Sequence, residues 1–386
     1  MDAKDFKLSS SGKCSKTAQG YHAFIPNPLP PHIDYTPELV KLISEADRPL
    51  SELSGTGRVF PNPYLLVYPY MRREAVSSSR IEGTQSSLND LFFFEAAPDS
   101  APPSSDVREV QNYVLAMEYG LNRLKDLPIS IRLIREIHEI LMQGVRGEHA
   151  TPGELRRSQN WIGPPGCFLA DAVYVPPPVE EMHQALSDWE KYLHSNPMEP
   201  PLIQCALMHY QFEAIHPFLD GNGRIGRLLV TFFLCERGHL SQPLLYLSEF
   251  FEKNRAEYYS LLLRVSRKGD WKEWIDFFLR GLAVSAKNAL IDAIDLLSLH
   301  EEYVRVLENE KKHPSSARRI VDEIFLNPVL SISGLSRKWN LPFNSVKSGV
   351  EKLIQLGILQ QANAKSRNRL FIASRLMNLL TSKQES

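Results

Sequence analysis

Apolar residues recur at three- and four-residue steps through most of this chain. Between Leu202 and Ile215 they include Cys205, Met208 and Phe212, and beyond a polar interruption they return at Ile225, Leu228, Leu229, Phe232 and Phe233. That spacing places one apolar stripe along a helix, predicting helices over Gln204 to Ile215 and Ile225 to Arg237, with Gly238 as a stop. Thr36 suits an N-cap with Pro37 in the first helical position, for a helix running to about Ala46. Tyr70 to Leu91 also reads as helix. Asp106-x-x-Glu109 resembles an N-terminal box opening a helix to about Leu124, and Pro128 opens another that Gly144 stops. Residues 1 to about 20 are polar and read as loose, Tyr21 to Tyr35 is extended by its prolines, and Ala97 to Ser105 has linker composition. Gly153 to Pro178 breaks the helical rhythm. Two short strands around a Gly/Pro turn, starting at Trp161 and Ala172, are one reading there, and a surface loop is the other.

Past His313 the pattern changes. Ser315–Asn327, Ser333–Trp339 and Pro342–Leu356 are helical, and Ile358 to Ile372 reads as two strands around the basic turn Asn363 to Arg369. Three helices and a hairpin make a winged helix-turn-helix. From Pro314 to Ser386 the chain holds 11 Lys+Arg against 4 Asp+Glu, a net of +7, and the remainder holds 33 against 41, a net of −8. Lys347, Lys365, Arg367 and Arg369 suit phosphate contacts, so DNA is one expected partner of this unit. Dimerisation or another protein is the alternative. The whole chain of 386 residues has net charge −1, which implies no global polyelectrolyte partner. Cys14, Cys167, Cys205 and Cys235 are scattered, without the spacing of a disulfide framework. The N-terminus has no apolar signal core and no apolar run has membrane length, so the expectation is a cytoplasmic protein with no membrane partner.

The polar interruption is the run His216-Pro-Phe-Leu-Asp-Gly-Asn-Gly-Arg-Ile-Gly-Arg227. It places an imidazole, a carboxylate, glycines flanking an asparagine and two arginines at one turn before a helix. Gly221, Asn222 and Gly223 can expose N–H groups as an anion nest, and a helix N-terminus favours phosphate. Arg224 and Arg227 share a helix face and can fork onto phosphate oxygens. Neutral His216 suits a general base, and Asp220 offers a hard oxygen for Mg2+. Three other readings compete. Gly221 to Gly226 fits G-x-G-x-x-G with Glu249 downstream, but a strand should precede it and a helix does. A second reading groups His209, His216 and Asp220 as zinc ligands, though without HExxH or paired CxxC. A plain helix corner explains the glycines but not the charges.

The same run resembles in full the signature of the Fic family, His-x-Phe-x-Asp/Glu-Gly-Asn-Gly-Arg-x-x-Arg. The resemblance implies a mainly α fold, a Fic-type helical domain with a β-hairpin flap, here joined by the small α+β winged helix-turn-helix domain. It implies transfer of AMP from ATP, with Mg2+, to a Ser, Thr or Tyr hydroxyl of a protein docked on a flap at about 160–176. His216 and Asn222 would be catalytic and Asp220 would hold the metal. Glu82, His216, Gly221, Asn222, Gly223, Arg224, Ile225, Gly226, Arg227 and Tyr258 would line the nucleotide. Upstream, Ser78-Ser-Arg-Ile-Glu82-Gly83 is similar to the inhibitory element of Fic proteins that restrain themselves. By that resemblance Ser78, Glu82 and Gly83 lie on an inhibitory helix at about 74–91, with Glu82 pairing Arg227. AMP removal, transfer of another phosphate-linked group, or a DNA-binding regulator with a nucleotide-sensing domain remain alternatives. The expected plan is a flexible 1–20, an N-terminal region 21–105, a catalytic domain 106–300, a linker 301–313 and the winged domain 314–386.

Overall fold

Helices carry most of the backbone in the computed structural model, which describes residues 1–59, 62–98, 104–145, 151–164, 166–195, 197–363 and 369–381. The N-terminus, expected to be loose, is ordered. A short 3-10 turn at Ala3–Phe6 leads to β1 (Gly12–Lys16), paired antiparallel with β2 (His22–Pro26). Phe6 is the reason: it is buried against Phe24, with ring centroids 5.5 Å apart. α1 (Pro37–Val59) continues well beyond Ala46 and through Pro49. Its Leu50 and Leu53 are fully buried, and packing along a later helix outweighs the local cost of the proline.

The stretch expected as one helix from Tyr70 to Leu91, and as an inhibitory helix at 74–91, is instead two helices. α2 (Tyr64–Ile81) ends in a Schellman closure, with Gly83 N–H donating to Arg80 C=O and Thr84 N–H to Ser79 C=O. Gly83 sits at φ +95°, a conformation that glycine adopts without strain. α3 (Leu88–Ala96) then starts at a capping box of Ser87 and Asp90. α4 (Ser105–Arg123) is capped by Ser104 rather than opened by Asp106, and α5 (Ile131–Leu141) by Ser130. α6 (Val179–His194), α7 (Pro201–Ile215), α8 (Asn222–Glu236), α9 (Leu247–Lys253) and α10 (Arg255–Lys268) follow. α11 (Trp271–Glu308) is the helix that receives α1. It occupies most of the expected 301–313 linker, because Leu296, Leu299, Tyr303 and Leu307 continue its buried stripe.

The C-terminal unit comprises α12 (Ser315–Leu326), β3 (Val329–Ser331), α13 (Ile332–Trp339), α14 (Phe343–Gln355), β4 (Gln360–Gln361), β5 (Leu370–Ile372) and α15 (Ser374–Thr381). Its strands form an antiparallel sheet in the order β3-β5-β4. It docks on the N-terminal half: Asn327 donates to Phe92 C=O (3.2 Å) and Ser331 to Ala96 C=O (3.3 Å).

α2 is fixed by buried polar bonds as well as apolar packing. Arg73 pairs with Asp292 of α11 and with Glu249 of α9 (2.9 Å). Glu74 accepts from the Ser248 N–H (3.0 Å) and hydroxyl, and from Tyr113 (3.2 Å) of α4. Removing one member of a buried pair costs several kcal/mol, so these contacts hold the position of α2 and hence of its C-terminal residue, Glu82. α4 also approaches α8 closely: a Cβ on Gly120 would lie 2.3 Å from the Phe232 ring.

Candidate active site

The run from His216 to Arg227 is the corner between α7 and α8. His216 caps α7 in the left-handed region (φ 51°), and Gly221 does the same at the start of α8 (φ 80°). The His216 Nδ1 lies 3.3 Å from the Glu213 C=O. A carbonyl only accepts, so Nδ1 carries the ring proton and Nε2 keeps its lone pair. Burial above all, with the Arg156 charge adding, lowers the pKa of His216 to about 4, leaving the ring neutral at pH 7.

Asn222 closes the loop. Its Oδ1 accepts from Phe218 N–H (2.9 Å) and its Nδ2 donates to Phe218 C=O (2.9 Å). The carboxamide is spent inside the protein, so the residue expected to touch a reacting phosphate acts here as a brace. The N–H groups of the first turn of α8 have no intrahelical partner, and no side chain among the described residues caps them. Asn222 and Gly223 therefore present open backbone N–H groups at the start of α8, whereas the Gly221 N–H is taken by Asp220 Oδ1. Ile225 departs from its expected contact: it is fully buried and its N–H donates to Gly221 C=O (3.0 Å). Gly226 lets α7 approach, since a Cβ there would stand 2.3 Å from Glu213 Oε1.

Three residues that nothing in the sequence pattern singles out support this loop. His138 stacks on Phe218 (centroids 3.8 Å apart), accepts Gly153 N–H on Nδ1 (2.9 Å) and donates from Nε2 to Asp220 C=O (3.0 Å). Arg156 Nε donates to His216 C=O (3.0 Å). Asn160 Nδ2 donates to the carbonyls of His216 (3.2 Å) and Phe218 (2.7 Å). Their only sequence cue is an arginine and an asparagine in a Gly/Pro-rich stretch without helical rhythm.

Arg224 and Arg227 are both buried on α8. Arg227 donates from Nε to the Ser78 hydroxyl (2.8 Å), and from Nη2 to Ser78 C=O (3.0 Å) and Glu82 Oε1 (2.6 Å). Burial pushes the Glu82 carboxyl up, but the charge and hydrogen bond of Arg227 outweigh it and hold the group below its ordinary range. The Glu82 carboxylate also faces the loop, 2.3 Å from where a Cβ on Gly223 would be. Arg224 is 3% exposed. It lies 3.5 Å from Asp220 and 3.7 Å from Glu109, and its Nε and Nη1 have no hydrogen-bond partner among the described residues. A buried guanidinium with unused donors suits a phosphate.

Asp220 is exposed and accepts the Gly221 N–H (2.6 Å). Mg2+ takes one or two carboxylates and fills its octahedron with water and phosphate oxygens, so this single carboxylate fits such an ion. The zinc grouping does not assemble. His209 uses Nδ1 on Gly226 C=O (2.9 Å) and Nε2 on the Tyr258 hydroxyl (2.8 Å). Tyr258 itself is 1% exposed, with its hydroxyl committed to His209, so it meets the site as a core residue; its neighbour Tyr259 is the exposed ring, at 41%. The dinucleotide reading is excluded because helix α7, not a strand, precedes the glycines.

Residues 40–122 match the model of the Fic/DOC family N-terminal region, and residues 128–234 match that of the Fic/DOC family itself. The chain therefore contains a Fic/DOC N-terminal region and a Fic/DOC domain. It is 31% identical over 173 residues to the protein adenylyltransferase Fic of Drosophila willistoni, covering 44% of this chain and 31% of that one. It is 30% identical over 173 residues to the protein of the same name from Drosophila melanogaster, with the same coverages of 44% and 31%. The chain thus spans about a third of the length of the relatives it matches. The fold resembles the crystal structure of a Fic family protein from Desulfovibrio desulfuricans G20, with a TM-score of 0.57 and 19% identity over 89% of this chain and 98% of that one.

The segment expected as a flap is less regular than a hairpin. Two short strands or a surface loop are expected, and among its described residues the segment holds the single bridge Ile162↔Tyr174. Pro164 and Pro176 to Pro178 lack the N–H that a ladder needs. The segment is still anchored, with Tyr174 donating to Ala214 C=O (2.8 Å). Ile162, Phe168 and Val173 stay exposed on it.

Glu213 is a further carboxyl that the motif does not include. Burial raises its pKa to about 7, with Glu82 adding and Arg227 opposing. The folded protein therefore prefers the protonated form, whereas an unfolded chain ionises near the ordinary glutamate value. Stability is lost as pH rises from about 4 towards 7. Glu213→Gln is expected to raise the thermal midpoint at pH 8 and leave it unchanged at pH 4, as calorimetry at the two pH values checks.

Proposed function

We propose that this chain is a protein adenylyltransferase, moving AMP from MgATP to a Ser, Thr or Tyr hydroxyl of a target protein and of itself, and that Glu82 restrains it. The observation that carries this reading is the neutral His216 beside the α8 N-terminus, with Arg224 and Arg227 on the same helix and a carboxylate already on Arg227. The target hydroxyl gives its proton to His216 Nε2 as its oxygen bonds the α-phosphorus. The bond to the bridging oxygen breaks and pyrophosphate leaves. The N–H groups at the start of α8 receive charge on the α-phosphate. Arg224 holds the β-phosphate and Arg227 the γ-phosphate. Asp220 holds Mg2+, which supplies charge neutralisation on the polyphosphate when bound. The exposed apolar residues of the flap at about 160–176 offer a target segment a backbone edge and apolar contacts.

Incubating the chain with α-labelled ATP and a lysate, then locating the label by mass spectrometry, tests the reaction. Label on side-chain hydroxyls supports it, and label nowhere removes it. The pH profile adds a second check. Because the pKa of His216 is lowered to about 4, the acid limb of kcat/KM is expected near pH 4, well below the usual histidine range.

For the C-terminal unit we propose a winged helix-turn-helix that binds DNA or a second protein in a cytoplasmic setting. Lys347 is paired with Glu351 at 3.6 Å, and the ring of Phe371 lies under Arg369. Lys365 and Arg367 lie outside the described residues. DNA binding that weakens steeply with salt separates the two partners.

A further inference from the structure

Glu82 is not the only carboxylate facing the arginines of the motif. Glu109, on α4 and 1% exposed, stands 3.7 Å from Arg224 through Oε2. The same oxygen accepts the hydroxyl of Thr84 at 3.0 Å. Thr84 is 2% exposed and lies two residues after Glu82, across Gly83. One turn earlier on α4, Asp106 accepts the N–H of Gln85 at 2.7 Å. The segment after Glu82 is therefore tied to α4 at two consecutive residues.

The connections close a ring. Arg227 holds Glu82, Glu82 leads through Gly83 to Thr84, Thr84 bonds Glu109, and Glu109 faces Arg224, three residues before Arg227 on α8. α2 cannot shift as a body, because Arg73 and Glu74 bind it to α9, α11 and α4. Glu82 can leave Arg227 only by rearrangement at its own end, where Gly83 is the one residue with left-handed backbone (φ +95°) and Thr84 the first side-chain anchor beyond it.

We propose that Thr84 and Glu109 are positioning residues that hold Glu82 on Arg227 and couple its release to polyphosphate at Arg224. This rests on the adenylyltransferase reading above. An anion on Arg224 competes with Glu109 for that guanidinium. The Glu109 carboxylate then changes position or hydration, the Thr84 bond weakens, and the Glu82 segment gains freedom at the moment the γ-phosphate needs Arg227.

Thr84→Val keeps the branched shape and removes the hydroxyl. With the full chain and MgATP, it is expected to raise AMP transfer about two- to tenfold, the net scale of one intramolecular hydrogen bond. In a Glu82→Gly background the same change is expected to do nothing, because no latch is left to loosen. Thr84→Ser, which keeps the hydroxyl, should follow the parent. A purely structural threonine would lower stability in both backgrounds without that contingency. Thr84→Val without gain in the parent, or with equal gain in both backgrounds, overturns the proposal. Amide exchange of the 82–86 segment gives a readout independent of transfer. It is expected to quicken in Thr84→Val, and to quicken in the parent when a non-hydrolysable ATP analogue with Mg2+ is added. Absence of transfer in every variant would sink the adenylyltransferase reading alone, and equal exchange in Thr84→Val and parent would sink the tether alone.

Discussion

Replacing His216 by alanine is expected to abolish AMP transfer while nucleotide affinity stays within a few-fold of the parent. A positioned general base contributes about 10²–10⁴-fold, and among the described residues no other neutral imidazole stands free at the start of α8: His138 and His209 each have both nitrogens engaged. The binding groups do not depend on the His216 ring. The carbonyl of His216, which the substitution retains, receives Arg156 and Asn160, and the first turn of α8 and both arginines lie beyond it. One complication is conformational. His216 is left-handed at φ 51°, which alanine adopts less readily than asparagine does. His216→Asn therefore serves as the control, since it preserves the backbone preference and removes the base. Single-turnover transfer of labelled AMP, read beside equilibrium ATP binding, checks both variants. Activity retained by His216→Asn would assign the ring a structural role, and an affinity loss as large as the rate loss would make it a ligand of the nucleotide.

The corner between α7 and α8 was legible in the sequence because it is local. Its glycines, arginines and imidazole lie within one turn, and the helices on either side follow from apolar periodicity. What it left illegible is what depends on distant chain. His138, Arg156 and Asn160 reach the loop from α5 and from a segment without regular structure, and no spacing rule links residues so far apart to Phe218. Asn222 shows the same limit from inside the motif. Its place at the turn was readable, but the choice between facing a ligand and closing on Phe218 is made by three-dimensional packing. Tyr258 was taken to the core by its bond to buried His209, a partner on another helix. The helix boundaries that moved did so for comparable reasons. α1 and α11 are extended by tertiary burial, whereas α2 ends early because Gly83 permits a left-handed turn that periodicity alone does not register.

Replacing Glu82 by glycine is expected to raise AMP transfer, including self-modification, on the order of ten- to a hundredfold. The geometry supplies the reason. Arg227 Nη2 donates to Glu82 Oε1 at 2.6 Å, so the guanidinium edge expected to bind the γ-phosphate is held by a carboxylate of the same chain. That carboxylate also crowds Gly223, beside the loop where the α-phosphate is expected. It opposes polyphosphate twice, by competing for Arg227 and by repelling a like charge. A charge-assisted contact is worth about 1.5–3 kcal/mol, and each 1.4 kcal/mol is about tenfold. Arg227 does not collapse when Glu82 is lost, because Ser78 still holds it through its hydroxyl and its carbonyl. Arg227→Ala should therefore fail to activate, since it deletes the phosphate ligand along with the latch, and the double variant should behave like Arg227→Ala. Acid alone should be a poor substitute for the mutation. Glu82 is held ionised below the ordinary carboxyl range, so its grip is present at neutral pH and is lost only as pH falls through that depressed value. By then His216, whose pKa is about 4, is itself being protonated. Initial rates of label transfer for the parent, Glu82→Gly, Arg227→Ala and the double variant decide the matter. A Glu82→Gly rate equal to or below the parent's would remove the restraint and favour a role for Glu82 in hydrolytic AMP removal.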